Sequence, residues 1–166
     1  MNIFIRILWR LERTLAKKKL DYYKSIMKFV GENVRIDSDV NIIVPKNFSI
    51  GSNSSIASFT TIYATHGIKI GENCWISSNC GISSYNHVIN SDNRFRDKNQ
   101  DKYYSKPVII GNNVWVGMNS CILPGITIGD NSVIGSGSVV TKDVPSNEIW
   151  VGNPARMIKK IDINYK

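Results

Sequence analysis

Aliphatic residues fall on a ladder with a step of six through most of this chain. Val30, Ile36 and Ile42 form one group of three, followed by Ile50, Ile56 and Ile62, then Ile70, Ile76 and Ile82. After a gap come Ile110, Val116 and Ile122, then Ile128, Ile134 and Val140. Glycine follows the aliphatic residue at positions 31, 51, 71, 111, 117, 129 and 135. Three places after it recur Asn33, Asn53, Asn73, Asn79, Asn113, Asn119, Gly125, Asn131 and Gly137. Those residue types accept the left-handed backbone of a tight corner. The fifth place holds small or β-branched residues such as Ser54, Thr60, Cys74, Cys80, Ser120, Ser132 and Ser138.

A helical period of 3.6 drifts against a step of six, so the ladder is not the face of an amphipathic helix. It fits short strands joined by sharp corners in a coiling chain, with successive coils about 4.8 Å apart. The interruptions are orderly. The steps from Ile42 to Ile50 and from Ile62 to Ile70 are eight residues, and that from Ile82 to Ile110 is twenty-eight. All extra residues therefore follow the third hexapeptide of a group. The pattern predicts an all-β fold: a parallel β-helix of about five three-strand coils over 30–145, with every insertion at one corner. The longest insertion, an excursion loop over 88–109, departs directly after His87. It reads as a structureless arm that covers a substrate or reaches a neighbouring subunit.

The ends follow other patterns. Residues 1–29 predict an N-terminal helical segment, with Ile3, Ile7, Leu8, Leu11 and Leu15 along one face and Arg6, Arg10, Arg13 and Lys17 to Lys19 mostly elsewhere. That face either caps the open end of the coil or makes peripheral contact with an anionic membrane. Residues 146–166 read as a C-terminal extension with a short helix.

Composition narrows the classes. A chain of 166 residues suits one domain, and a net charge of +8 suits an anionic partner. Much of that charge lies in the N-terminal segment and no nucleic-acid module is present, so nucleic acid is not an expected partner. Three cysteines without a CxxC pair (Cys74, Cys80 and Cys121) predict a reduced, cytoplasmic chain, with the inner face of the membrane left open. Only two histidines occur, His66 and His87, fewer than a three-histidine zinc site requires, so no metal is expected. No apolar run reaches the roughly 18 residues of a membrane span, and Arg6, Arg10 and Arg13 break up any signal-peptide core.

With the repeat, the stretches "NNVWVG", "GSGSVVTKDVP" and "GNPAR" within residues 107–161 resemble the hexapeptide-repeat acetyltransferases. The resemblance covers residues 30 to about 160 and is nearest to bacterial sugar O-acetyltransferases of the galactoside, maltose and polysaccharide type. It implies a left-handed coil, a homotrimer, and acetyl-CoA bound in a groove between neighbouring prisms. It implies a cytoplasmic O-acetyltransferase acting on a sugar or glycan hydroxyl in surface-polysaccharide biosynthesis. N-acetylation of a nucleotide-linked amino sugar is the alternative, and a non-catalytic prism a third.

"ISSNCGISSYNH" ends where the family places its histidine, so His87 carries the general-base role. Imidazole suits it, because its ordinary pKa near 6.5 lets it take and return a proton at neutral pH. Backbone N–H groups at a neighbouring corner would steady the oxyanion. A backbone carbonyl, or a loop carboxylate such as Asp92, is expected to orient the second nitrogen of His87. Tyr85, Asn86 and Trp115 are candidates for acceptor contact. Trp75 should lie beside Trp115 outside the coil, facing either sugar or another surface. The resemblance assigns CoA contacts to Met118, Ser136, Thr141 and Lys142, and phosphate contacts to Arg156 and Lys159. Lys159 stands where the family commonly has arginine. His66 reads as a polar surface residue, and Cys74 and Cys80 as core.

Overall fold

The computed structural model describes residues 3–162. Very short strands distribute over three sheets that form the faces of a triangular prism. The first face stacks Phe29–Val30, Phe48–Ile50, Ile68–Ile70, Val108–Ile110 and Thr127–Ile128. The second stacks Arg35–Ile36, Ser55–Ile56, Trp75–Ile76, Trp115–Val116 and Val133–Ile134, and the third Asn41–Ile43, Thr61–Tyr63, Gly81–Ser83, Cys121–Ile122 and Val139–Val140. Pairing is parallel and keeps the ladder aligned, with Ile36 beside Ile56, Ile62 beside Ile82 and Ile110 beside Ile128. This is a left-handed parallel β-helix of five complete coils. A sixth coil begins with the bridge between Ile128 and Val144 and continues as Glu148–Val151 on the second face.

Fourteen of the fifteen ladder positions are buried, the partly covered Val30 of the first coil being the exception. Their side chains fill the prism axis, and this burial is the main force favouring the coil. Each third-place residue of the ladder series quoted above, from Asn33 to Gly137, has positive φ. The glycine after the aliphatic position answers to spacing between coils. A Cβ on Gly117 would sit 2.6 Å from the backbone N of Ser136, and one on Gly51 2.6 Å from the carbonyl carbon of Gly71.

Where the fifth place holds Ser, Thr or Cys it is a donor as well as small. Ser54 Oγ donates to the Gly71 carbonyl at 2.9 Å, Thr60 Oγ1 to Ser77 O at 3.0 Å and Ser120 Oγ to Gly135 O at 3.1 Å. Cys74 and Cys80 do the same with their thiols, toward Gly111 O and Gly117 O. These bonds satisfy corner carbonyls that the strands cannot reach. Both cysteines are core residues, and burial pushes their thiols above the ordinary value.

The insertions fall at the edge between the third and first faces, as the step lengths predict. The long excursion is not structureless. It carries a 3-10 turn at Lys98–Gln100 and a helical turn, Asp101–Tyr104, which brings the chain back onto the prism. The N-terminal segment forms a helix, α1, over Ile3–Ile26. Only its C-terminal half meets the first coil, through Leu20 and Tyr23.

The C-terminal expectation needs correction. Glu148–Val151 and Arg156–Lys160 form an antiparallel hairpin rather than a short helix. Its first strand continues the second face, and the turn at Gly152 and Pro154 sends the chain back beside it. Residues 1–2 and 163–166 of the predicted end segments lie outside the described residues.

Candidate active site

The strand Gly81–Ser83 ends at the insertion-bearing edge, and the next residues bend outward through their own side chains. Ser83 Oγ accepts the Tyr85 N–H at 3.1 Å, and Asn86 Oδ1 accepts the His87 N–H at 3.0 Å. Ser105, returning from the excursion, accepts the Asn86 N–H at 2.9 Å. Residues 85–87 are thus clamped between the end of a prism strand and the far end of the loop.

Asp101 organises this corner. It opens the helical turn Asp101–Tyr104 and is 2% exposed, whereas the His87 side chain above it is 63% exposed. His87 Nδ1 lies 2.9 Å from Asp101 Oδ2, the Tyr85 hydroxyl donates to the same oxygen, and the Val88 N–H donates to Oδ1 at 2.8 Å. The Tyr85 hydrogen bond leads the causes that hold Asp101 below its ordinary value. The Val88 N–H and His87 add to it, and burial opposes them. The same contact works in reverse on the phenol, pushed up to about 12. Tyr85 therefore stays a neutral donor and Asp101 an anion.

An anionic Asp101 accepts from Nδ1–H, which leaves the lone pair on Nε2 of a neutral imidazole. Nε2 is the ring nitrogen that Asp101 does not engage, on a side chain 63% exposed. The arrangement can take a proton from a hydroxyl or amine presented at the edge. The imidazolium so formed would be stabilised by the buried carboxylate.

The sequence missed Asp101. Asp92, the carboxylate suggested by proximity, instead accepts from Arg96 at 2.7 Å and is largely exposed. Asp97 also pairs with Arg96, at 2.9 Å. Loop composition does not distinguish these three acids; the fold of the loop does. His66 also departs from expectation. It is half-buried, its ring stacks on Tyr85 with centroids 6.1 Å apart, and its Nδ1 is buried without a hydrogen-bond partner.

Other predicted residues lie in separate places. Trp115 and Trp75 pair in register on the outside of the second face, and Trp115 Nε1 donates to Ser77 Oγ at 3.1 Å. Trp75, Ser77 and Met118 line one cleft of about 320 Å³ with Arg35, Asp37 and Ser55. Ser136 occupies the Met118 corner one coil further on. Thr141 and Lys142 follow Val139–Val140, on the His87 edge but two coils away. Arg156 and Lys159 are exposed on the final hairpin strand. The second face is opposite the His87 edge of the triangle. One chain therefore does not bring Trp115 or Met118 to His87. Among the described residues no cluster of metal-ligating side chains occurs.

Comparison with known proteins matches residues 107–142 to the bacterial transferase hexapeptide (six repeats) and residues 41–84 to the hexapeptide repeat of succinyl-transferase. A segment of 59 residues is 59% identical to galactoside O-acetyltransferase of Escherichia coli (strain K12), covering 36% of this chain and 29% of that protein. The aligned segments span only about a third of the length of such curated relatives, 29% to 34%. Solved structures match more fully. A maltose O-acetyltransferase from Clostridium difficile 630 is 36% identical with a TM-score of 0.74, over 88% of this chain and 76% of that one. A galactoside acetyltransferase in complex with coenzyme A is 35% identical with a TM-score of 0.71, over 88% and 71%.

Proposed function

The chain belongs to the hexapeptide-repeat acetyltransferase family, and we propose that it transfers acetyl from acetyl-CoA to a sugar hydroxyl with His87 as general base. The observation that carries this reading is the Asp101–His87–Tyr85 group at the edge where the coil opens. A buried anion orients an exposed imidazole there and fixes its tautomer.

In the proposed reaction, His87 Nε2 removes the hydroxyl proton as the sugar oxygen attacks the thioester carbonyl. The tetrahedral intermediate collapses, the carbon–sulfur bond breaks, and the imidazolium returns the proton to the departing thiolate. The products are the acetylated sugar and free CoA. Asp101 remains ionised throughout and lowers the cost of the imidazolium. No acyl-enzyme is required.

Placement on opposite sides of the prism supports a site shared between copies in a homotrimer. Packing the His87 edge of one protomer against the second face of the next sets the imidazole before Trp115, Trp75 and Met118. Trp75 offers flat apolar surface to a sugar ring, with Arg35, Asp37 and the serines of the same cleft for its hydroxyls. Trp115 extends that surface along the face from the adjoining cleft that it shares with Trp75. Lys142, Arg156 and Lys159 supply cationic donors for CoA phosphates. Surface-polysaccharide assembly is the setting we propose for the reaction, a reading supported by the sequence resemblance to sugar acetyltransferases of that type.

An assay of acetyl-CoA consumption against sugars, oligosaccharides and nucleotide-linked amino sugars tests the proposal. Transfer to a hydroxyl, lost in His87→Ala, is the expected result. Transfer only to amines would replace O-acetylation by N-acetylation, and full activity in His87→Ala would remove the mechanism.

A further inference from the structure

The N-terminal half of α1 has no place in the reading above. Its C-terminal half is tied to the first coil: Leu20 and Tyr23 pack on the core, and Lys24 Nζ donates to Val34 O at 3.1 Å. Residues 3–15 are exposed without exception. At 1.5 Å per residue they form a rod of roughly 20 Å.

That rod is two-sided. Ile3, Ile7, Leu8, Leu11 and Leu15 share one face and are 75%, 51%, 48%, 55% and 67% exposed. Arg6, Arg10, Arg13 and Lys17 recur at the same three- and four-residue spacing along one flank of that face. Glu12 is the lone acid in residues 3–15. Residues 1–29 hold eight basic and two acidic side chains, so they carry six of the eight net positive charges of the chain.

We propose that residues 3–15 lie on an anionic lipid bilayer, with the leucine and isoleucine face sunk among the acyl chains and the arginines at the headgroups. Charge chooses this occupant over a second copy. Two such helices, each with four basic side chains against one acidic over residues 3–17, repel one another, whereas an anionic surface converts the same flank into attraction. No helix among the described residues is long and apolar enough to cross a membrane, so the contact is interfacial. It does not depend on the catalytic reading, because binding is measured without turnover.

Co-sedimentation of the full chain with vesicles tests it. One set contains phosphatidylglycerol and phosphatidylcholine in roughly one-to-two proportion, the other phosphatidylcholine alone. Partitioning should be about tenfold or more stronger on the anionic set and fall to the neutral level near 1 M salt, where screening shortens to about 3 Å. A Leu8→Ser, Leu11→Ser, Leu15→Ser variant should lose about tenfold or more, and so should Arg6→Gln, Arg10→Gln, Arg13→Gln, since each basic residue near such a surface contributes roughly fivefold. Both variants should keep the native melting temperature and mass, because these side chains touch no part of the prism. Equal partitioning on neutral and anionic vesicles, or none on either, overturns the proposal. So does a leucine variant that drops to a smaller assembly while the native chain ignores vesicles, which assigns the face to a second copy.

Discussion

The prism and the excursion solve opposite problems with the same chain. In the prism, one local solution recurs: an inward aliphatic residue, a left-handed corner, and a small donor bonded to the next coil. No single side chain there sets the position of distant groups. The excursion between Ser84 and Pro107 repeats nothing, and one carboxylate collects three of its donors, from Tyr85, His87 and Val88. Repetition yields a stiff frame that offers binding surface but no oriented base. The departure from it yields a charged group held beneath an exposed base. The difference suggests that stability and activity are separable along the chain.

The most drastic way to break this contrast is to replace residues 84–107 with the four-residue corner at 64–67. Transfer should disappear, while circular dichroism and a cooperative melt persist. Loss of the fold instead would show that the excursion helps hold the prism. Next in size is the proposed catalytic pair. His87→Ala should lower kcat by about 10²- to 10⁴-fold, the usual contribution of a general base, with the melting temperature nearly unchanged. Asp101→Asn should fall in the same range, because the amide no longer holds the imidazole in its reactive tautomer.

Within the prism the effect should reverse. Ile122→Ala leaves a void on the axis and should cost about 2–5 kcal/mol in chemical denaturation, with kcat little changed in the protein that stays folded. The smallest effect concerns pH. The Tyr85 phenol is raised from 10.0 to about 12 in the folded chain, so the fold favours its protonated form. The stability it contributes is complete below pH 10 and is lost as pH rises through about 12. Tyr85→Phe should remove that alkaline slope. Asp101 is lowered, so its contribution is present above the ordinary value of 3.8 and lost as pH falls below it; Asp101→Asn should flatten that acid limb.

Legibility in the sequence followed the same division. Each ladder residue and corner is a local event, so Ile82, Asn79 and Cys80 announced their places by spacing alone. His87 was legible because it marks the end of that spacing. Asp101 was not, since three loop carboxylates look alike until a helical turn points one of them inward. The C-terminal hairpin was missed for another reason. Glu148–Val151 adds to a sheet edge the prism had already built, and that edge is not visible in the segment's own pattern. A turn signal at Gly152 and Pro154 between two apolar runs was the available clue.

His87 and Trp115 occupy opposite sides of the triangular cross-section. If adjoining copies share each reaction centre, damage becomes divisible. Mixing His87→Ala chains with Trp115→Ala chains would assemble mosaic particles in which some clefts inherit a sound imidazole from one parent and a sound indole from the other. Two impaired preparations, unfolded together and reassembled, would then complement each other, whereas a self-contained centre would gain nothing in any mixture.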